Sequence, residues 1–255
     1  MNRFAVVSDI HGNLPALEAV LAEIHRAGVE AVLNLGDIAS GPLWPAETCA
    51  RLMALGWPTI RGNHERQAVL EPRAGMGPTD AYAADALAPA HAAWLAALPT
   101  ELHLDADITA CHATPASDLQ YGLETVEPDG RVRMARADEV RQRFPGVAVT
   151  LLLCGHTHVP RALQVDGLLV VNPGSVGLQA YDDDHPVPHV IENGSPHARW
   201  AVVERTAFGW SVQQRATAYD WEAAARRAEE NGRGDWADAL RSGRVGRTES
   251  DVAAR

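Results

Sequence analysis

Residues 4 to 37 read FAVVSDIHGNLPALEAVLAEIHRAGVEAVLNLGD, and the order of apolar and polar positions in this stretch decides the fold class. Phe4 to Val7 is a short apolar run of strand type, broken by Ser8-Asp9. Asn13 then offers a side-chain cap to a helix whose apolar positions Leu14, Leu17, Val20, Leu21 and Ile24 share one face, and Gly28 ends it. A second strand, Ala31 to Leu35, follows almost at once. A strand, a crossover helix and a strand with short joints predict a mainly parallel sheet covered by helices.

The same alternation continues outward. Pro45 to Leu55 reads as a helix closed by Gly56, and Trp57 to Ile60 as a third short strand. From Arg66 to Pro99 the pattern changes to Ala-rich and helical, broken at Gly75-Met76-Gly77-Pro78 and at Pro89. This reads as a helical insertion between core strands, placed to form one wall of a site. Strand patterns resume at Leu102 to Leu104, Ile108 to Cys111, Val147 to Leu153, Ala162 to Val165, Leu168 to Val171, Trp200 to Glu204 and Trp210 to Gln214. The later ones are joined by turns such as Asp166-Gly167 and Phe208-Gly209, so they are expected as antiparallel hairpins.

Two packed β-sheets flanked by helices, an α/β fold of four layers (α/β/β/α), is the expected architecture. The expected division is one domain over 1–216, including the 66–99 insertion, with a tail over 217–255 packed on it as two short helices. Trp221, Ala225, Trp236 and Leu240 are available to dock that tail, and its last ten residues are expected to be disordered. Pro115 to Gly130 and 182–196 are polar and punctuated by Pro and Gly, and read as surface loops.

Composition removes several chemistries. All 22 cationic residues are Arg, so Schiff-base catalysis and a P-loop lysine are both excluded. A formal charge of −11, with Arg131 to Arg143 interrupted by Asp138 and Glu139, argues against a nucleic-acid partner. Cys49, Cys111 and Cys154 are odd in number and lack CxxC spacing, which predicts reduced, buried thiols and a cytoplasmic address. Neither a leader nor a membrane span is expected, since no apolar run approaches the roughly 18 residues needed.

Five polar blocks sit where apolar runs end: Asp9-Ile10-His11, Gly36-Asp37, Gly62-Asn63-His64-Glu65, Cys111-His112 and Gly155-His156-Thr157-His158. If the chain stays extended past each strand, side chains i and i+2 fall on one side, so Asp9 with His11, and His156 with His158, can address neighbouring points. In open α/β sheets the carboxyl ends of the strands are where ligands bind. Oxygen and nitrogen donors from five such ends are enough for two divalent metal ions.

This order of blocks over residues 9 to 158 resembles the calcineurin-like metallophosphoesterase superfamily. Asn172-Pro173-Gly174-Ser175-Val176-Gly177 further resembles its small bacterial phosphoesterase branch. The resemblance implies a two-sheet fold and a dinuclear centre. Asp9, His11, Asp37 and His158 would hold one ion, and Asp37, Asn63, His112 and His156 the other, with Asp37 shared. Mixed N and O ligands suit Mn, Fe, Co, Ni or Zn, with Mn favoured, and no thiolate is required.

The implied reaction is hydrolysis of a phosphate ester by a metal-bridging hydroxide attacking phosphorus in line. His64 would protonate or hydrogen-bond the departing oxygen beside Asn63. Arg66 could contact phosphate from the same loop or simply be exposed. Where the superfamily's protein phosphatases continue Gly-Asp-x-x-Asp-Arg-Gly, this chain has Gly36-Asp37-Ile38-Ala39-Ser40-Gly41, so the carboxylate that orients His64 is absent from that place. A small phosphodiester or phosphomonoester is then the expected substrate. Two alternatives stand beside it. One is a dinucleoside polyphosphate pyrophosphohydrolase using Arg161 and Arg131 to Arg143, and the other a non-catalytic scaffold. His185 and His189 are expected to be solvated loop histidines.

Overall fold

The computed structural model describes residues 1–253. The opening stretch forms β1 (Arg3–Val7), α1 (Leu14–Arg26) and β2 (Val32–Asn34), and α2 (Pro45–Leu55) follows. Asn13 Oδ1 accepts the Ala16 N–H at 3.2 Å, which caps α1 as its sequence predicts. Gly56, at φ 63°, ends α2 in the left-handed conformation that glycine adopts without strain. Trp57 to Ile60 contributes one bridge, Thr59 to Asn34, rather than a strand.

The remaining strands are β3 (Glu101–Asp105), β4 (Ile108–Cys111), β5 (Glu124–Val126), β6 (Val132–Met134), β7 (Leu151–Leu153), β8 (Arg161–Val165), β9 (Leu168–Asn172), β10 (Ala180–Asp183), β11 (His189–Glu192), β12 (Ala198–Thr206) and β13 (Gly209–Thr217). One sheet runs β13-β12-β1-β2, with only β1 and β2 parallel. The other runs β3-β4-β7-β9-β8, with β4, β7 and β9 parallel and antiparallel edges.

Alternation along β1 assigns its faces. Phe4 and Val6 join Leu33, Ile108, Leu151, Leu153 and Val171 between the sheets, while Ala5 and Val7 pack outward with Leu17, Val20 and Ile24 of α1. On the far side of the second sheet, Leu152 and Val170 pack against Val140 and Phe144 of α6 (Ala137–Arg143) and its end, together with Leu123. Helix, sheet, sheet and helix therefore stack in the four layers expected.

The insertion is helical in short pieces: a wide helical turn over Arg66–Leu70, a tight turn over Arg73–Gly75, then α4 (Pro78–Ala86) and α5 (Pro89–Ala97), with α3 (Asn63–Glu65) just before them. The two stretches expected as loops each contribute to a hairpin that runs beyond their bounds, β5–β6 and β10–β11. In β10–β11 the missed signal is period-two burial of His189 and Ile191 beneath exposed Val190 and Glu192. In the tail, α7 (Trp221–Glu230) and α8 (Gly234–Ser242) dock Ala225, Trp236 and Leu240 against Leu43 and Leu178. In the end expected to be disordered, Glu249–Ala253 forms α9, and Arg247 is tied to Asp238 of α8 at 2.7 Å. Residues 254 and 255 lie outside the described residues. Among the described residues no helix is long and apolar enough to cross a membrane.

Candidate metal centre

The loops after β1, β2, β4 and β7, together with the loop after Ile60, bring the polar blocks to one edge of the paired sheets. Asp9, His11 and His158 place donor atoms within 4.8 Å of one another, and so do Asp37, His112 and His156. His158 Nε2 lies 3.5 Å from Asp9 Oδ1 and 3.1 Å from His11 Nε2. His112 Nε2 lies 3.1 Å from both Asp37 Oδ2 and Asn63 Oδ1. Asp37 also groups with His11 and His64, so it stands between the two halves. All seven expected ligand residues and His64 are thus brought to one place.

How the chain does this differs from the extended geometry expected. Asp9, His11, Asp37, His156 and His158 all have φ between 51° and 68°, the left-handed region. There the peptide turns sharply and aims each side chain inward, at a cost of about 1–2 kcal/mol per non-glycine residue. Backbone bonds across the edge hold the turns: Asp9 N donates to Gly36 O at 2.9 Å, and His11 N to Asp37 O at 2.9 Å. Two glycines leave the necessary space. A Cβ on Gly62 would sit 2.1 Å from Asp37 Oδ1, and one on Gly155 2.0 Å from Ser8 Oγ.

Backbone carbonyls fix three of the imidazoles. His11 Nδ1 donates to Ser40 O at 2.8 Å, His112 Nδ1 to Leu35 O at 2.7 Å, and His156 Nε2 to Leu119 O at 3.0 Å. A carbonyl only accepts, so each ring turns its other nitrogen toward the carboxylates. Burial lowers His11 and His156 and leaves that nitrogen a lone pair. At His112, Asp37 and Asp9 outweigh burial and raise the ring to about 10, so its Nε2 carries a proton toward Asp37 that a bound cation would displace. Burial would raise the Asp37 carboxyl, but His112 and His64 outweigh it and hold it well below the usual carboxylate range. Asp9 is lowered in the same way by His158 and His112. Burial and the neighbouring His158 push His11 down to about 3. Buried imidazoles converging on two anionic carboxylates fit divalent cations, and the all-N/O donor set fits a transition metal. Cys111 and Cys154 are buried with their thiol pKa values pushed up by burial, so they stay protonated and are not needed as donors.

Two residues that the sequence reading left without a role organise the loops. Glu65, buried, accepts from Asp37 N at 2.9 Å, Ile38 N at 2.7 Å and Gly62 N at 2.8 Å, binding the second block to the third. Asp80, from α4 in the insertion, meets His64 Nδ1 at 2.7 Å and accepts from Ser40 Oγ at 2.6 Å. The carboxylate missing from residues 37–41 is thereby supplied by a different element. Burial alone would lower the His64 pKa, but Asp37 and Asp80 lift it to about 9. Glu65 had a signal in its place at the end of Gly-Asn-His-Glu. Asp80, in an Ala-rich helix, had none.

Several expected cationic contacts are otherwise engaged. Arg66 pairs with Asp118 and Glu71. Arg161 pairs with buried Glu124, Arg133 with Glu127 and Glu139, and Arg141 with Asp166. His189 is buried and hydrogen-bonded rather than solvated, whereas His185 is exposed. A cavity of about 710 Å³ opens from His11, Asp37 and His64 and is walled by Thr79 and Asp80 of the insertion, Tyr181 of β10 and Trp236 of α8.

Comparison with known proteins agrees with this geometry. Residues 2–191 match the calcineurin-like phosphoesterase superfamily domain. The crystal structure of a metallophosphoesterase from Sphaerobacter thermophilus is similar at 25% identity and a TM-score of 0.73, covering 95% of this chain and 99% of that one. The PH1004 protein of Pyrococcus horikoshii OT3 is similar in fold at 20% identity and a TM-score of 0.75, covering 96% and 100%. A 61-residue stretch, 24% of this chain, is 41% identical to MJ0912 of Methanocaldococcus jannaschii and spans a quarter (25%) of its length. With the matched domain covering most of its length and the inward-facing Asp and His residues gathered at one sheet edge, the chain belongs to the calcineurin-like phosphoesterase superfamily.

Proposed function

We propose that this chain hydrolyses small organic phosphate esters, diesters or monoesters, with two divalent transition-metal ions, of which Mn²⁺ is favoured. The observation that carries the reading is the meeting of two buried N/O donor trios on either side of Asp37. Asp9, His11, Asp37 and His158 would hold one ion, and Asp37, Asn63, His112 and His156 the other. Such ions supply Lewis acidity toward the phosphoryl oxygens and acidify a water between them. His64, held by Asp80 and with its backbone N–H donated to Asp37 Oδ1, would give its remaining ring proton to the departing oxygen beside Asn63. The buried, reduced cysteines support a cytoplasmic setting.

The test is hydrolysis of bis-p-nitrophenyl phosphate and p-nitrophenyl phosphate by chelated protein reloaded with Mn²⁺, Ni²⁺, Co²⁺, Zn²⁺ or Mg²⁺. Metal-dependent turnover that Asp37→Asn abolishes is the expected result, and the diester-to-monoester ratio sets the preference. Two bound ions without turnover under any metal would defeat the reading.

A further inference from the structure

Beside the centre, a three-residue hydrogen-bond chain has a direction that can be worked out. His189 Nδ1 lies 2.8 Å from Val187 O, and a carbonyl accepts only, so in a neutral imidazole this nitrogen carries the proton. His189 Nε2 is then a lone pair, and it accepts from the Tyr121 hydroxyl at 2.9 Å. With its proton used, Tyr121 must accept from the Tyr181 hydroxyl across their 2.9 Å contact. Tyr181 therefore spends its own proton inside the protein. Its oxygen is left with lone pairs alone, and no other protein partner is recorded for them among the described residues. Its ring packs 4.9 Å from that of His158, next to the candidate phosphate site, and it lines the cavity.

We propose that Tyr181 is a specificity-determining acceptor for the alcohol part of the substrate, which carries hydroxyl or ammonium donors. The proposal rests on the phosphate-ester reading of the same site and narrows it to esters of polyols or amino alcohols. A phosphoryl oxygen has no proton to give Tyr181, so an anionic chain laid along this wall meets lone pair against lone pair. The rest of the wall agrees. Asp182, Asp183, Asp184 and Asp235 line the same cavity. Its two arginines are already paired, Arg233 with Asp235 and Glu249, and Arg247 with Asp238. No lining arginine among the described residues is left to meet a second phosphate, so on this wall a polyphosphate substrate would be repelled where a donor-bearing alcohol is welcomed.

The experiment compares three p-nitrophenyl phosphodiesters of similar size, whose second alcohol is glycerol, aminoethanol or ethanol, with the Mn²⁺-loaded full chain. A preference in kcat/KM of about 10-fold or more for the glycerol or aminoethyl ester over the ethyl ester is expected, because an unmet buried acceptor disfavours the bare alkyl group. Glycerol against aminoethanol then identifies the donor. Tyr181→Phe is expected to erase most of that preference. Tyr121→Phe is expected to weaken it as well, since it frees the Tyr181 proton. Calorimetric binding of glycerol phosphate against ethyl phosphate reads the same ratio without turnover. Equal rates on all three esters in the native chain, or equal losses on all three in Tyr181→Phe, would overturn the proposal and leave the hydrolase reading standing. Failure to cleave any of the three would overturn that reading and this proposal together.

Discussion

His64 Nδ1 and Asp80 Oδ1 meet at 2.7 Å across sixteen positions of sequence, so the loop that carries Asn63 is completed by a helix from outside the core sheets. Asp80 is buried, and the same oxygen also takes the Ser40 hydroxyl at 2.6 Å, with Ser40 O in turn holding His11.

Asp80 acts through His64. Asp80→Asn keeps an oxygen near the ring but removes the charge that favours its imidazolium. A loss in kcat of about 10–100-fold is expected for esters with alkyl or phenyl leaving groups, with a clearly smaller loss for p-nitrophenol, whose oxygen needs little help from a proton. KM should change little. A leaving-group series on native and variant enzyme measures this, and parallel losses across the series would refute it.

Glu65 is the rivet between two ligand loops. Burial and the Asp37 charge raise its pKa, while the Ile38 and Gly62 N–H groups oppose them. Glu65→Gln replaces one acceptor oxygen with an NH₂ that faces those donors. A stability loss of about 2–4 kcal/mol in urea unfolding of the metal-free protein is expected, as for breaking a buried, charge-assisted network. Metal affinity should fall about 10–100-fold for want of loop support. An unchanged urea midpoint would remove Glu65 from this role.

The tail is predicted to loosen in acid. Arg247 holds the Asp238 carboxyl below its usual value, through contacts of 2.7 Å to each oxygen. A lowered folded pKa adds stability that is fully present above the unfolded value of about 3.9 and is lost as pH falls through the folded one. The pair is partly exposed, at 38% and 27% of the side chains, so screening limits it to about 1 kcal/mol or less. Amide protection around residues 243–249, corrected for intrinsic exchange, should therefore drop below about pH 4. Asp238→Asn should show the low protection at every pH.

Much of this was legible because it is local. The cap at Asn13, the stop at Gly56 and the alternation in β1 each depend on a few neighbouring residues, and the ligand blocks announce themselves as polar interruptions of apolar strands. What stayed hidden depends on long-range contact. Asp80 looks like any solvated helix residue until α4 is folded onto Ser40 and His64. His189 follows a Pro-rich turn and looks solvated until Tyr121 covers it, although the two are 68 positions apart. The tail's last helix is held at Glu249 by Arg233, which stands at the start of the preceding one and is itself paired with Asp235, a dependence that composition does not carry.

The left-handed turns at Asp9, His11, Asp37, His156 and His158 set the chain's stability against its chemistry. At each of these positions glycine would relax the backbone by about 1 kcal/mol while deleting a donor. Drift toward the most comfortable fold is therefore drift toward an inert protein. The residues proposed to hold the ions are the ones its backbone would be easier without.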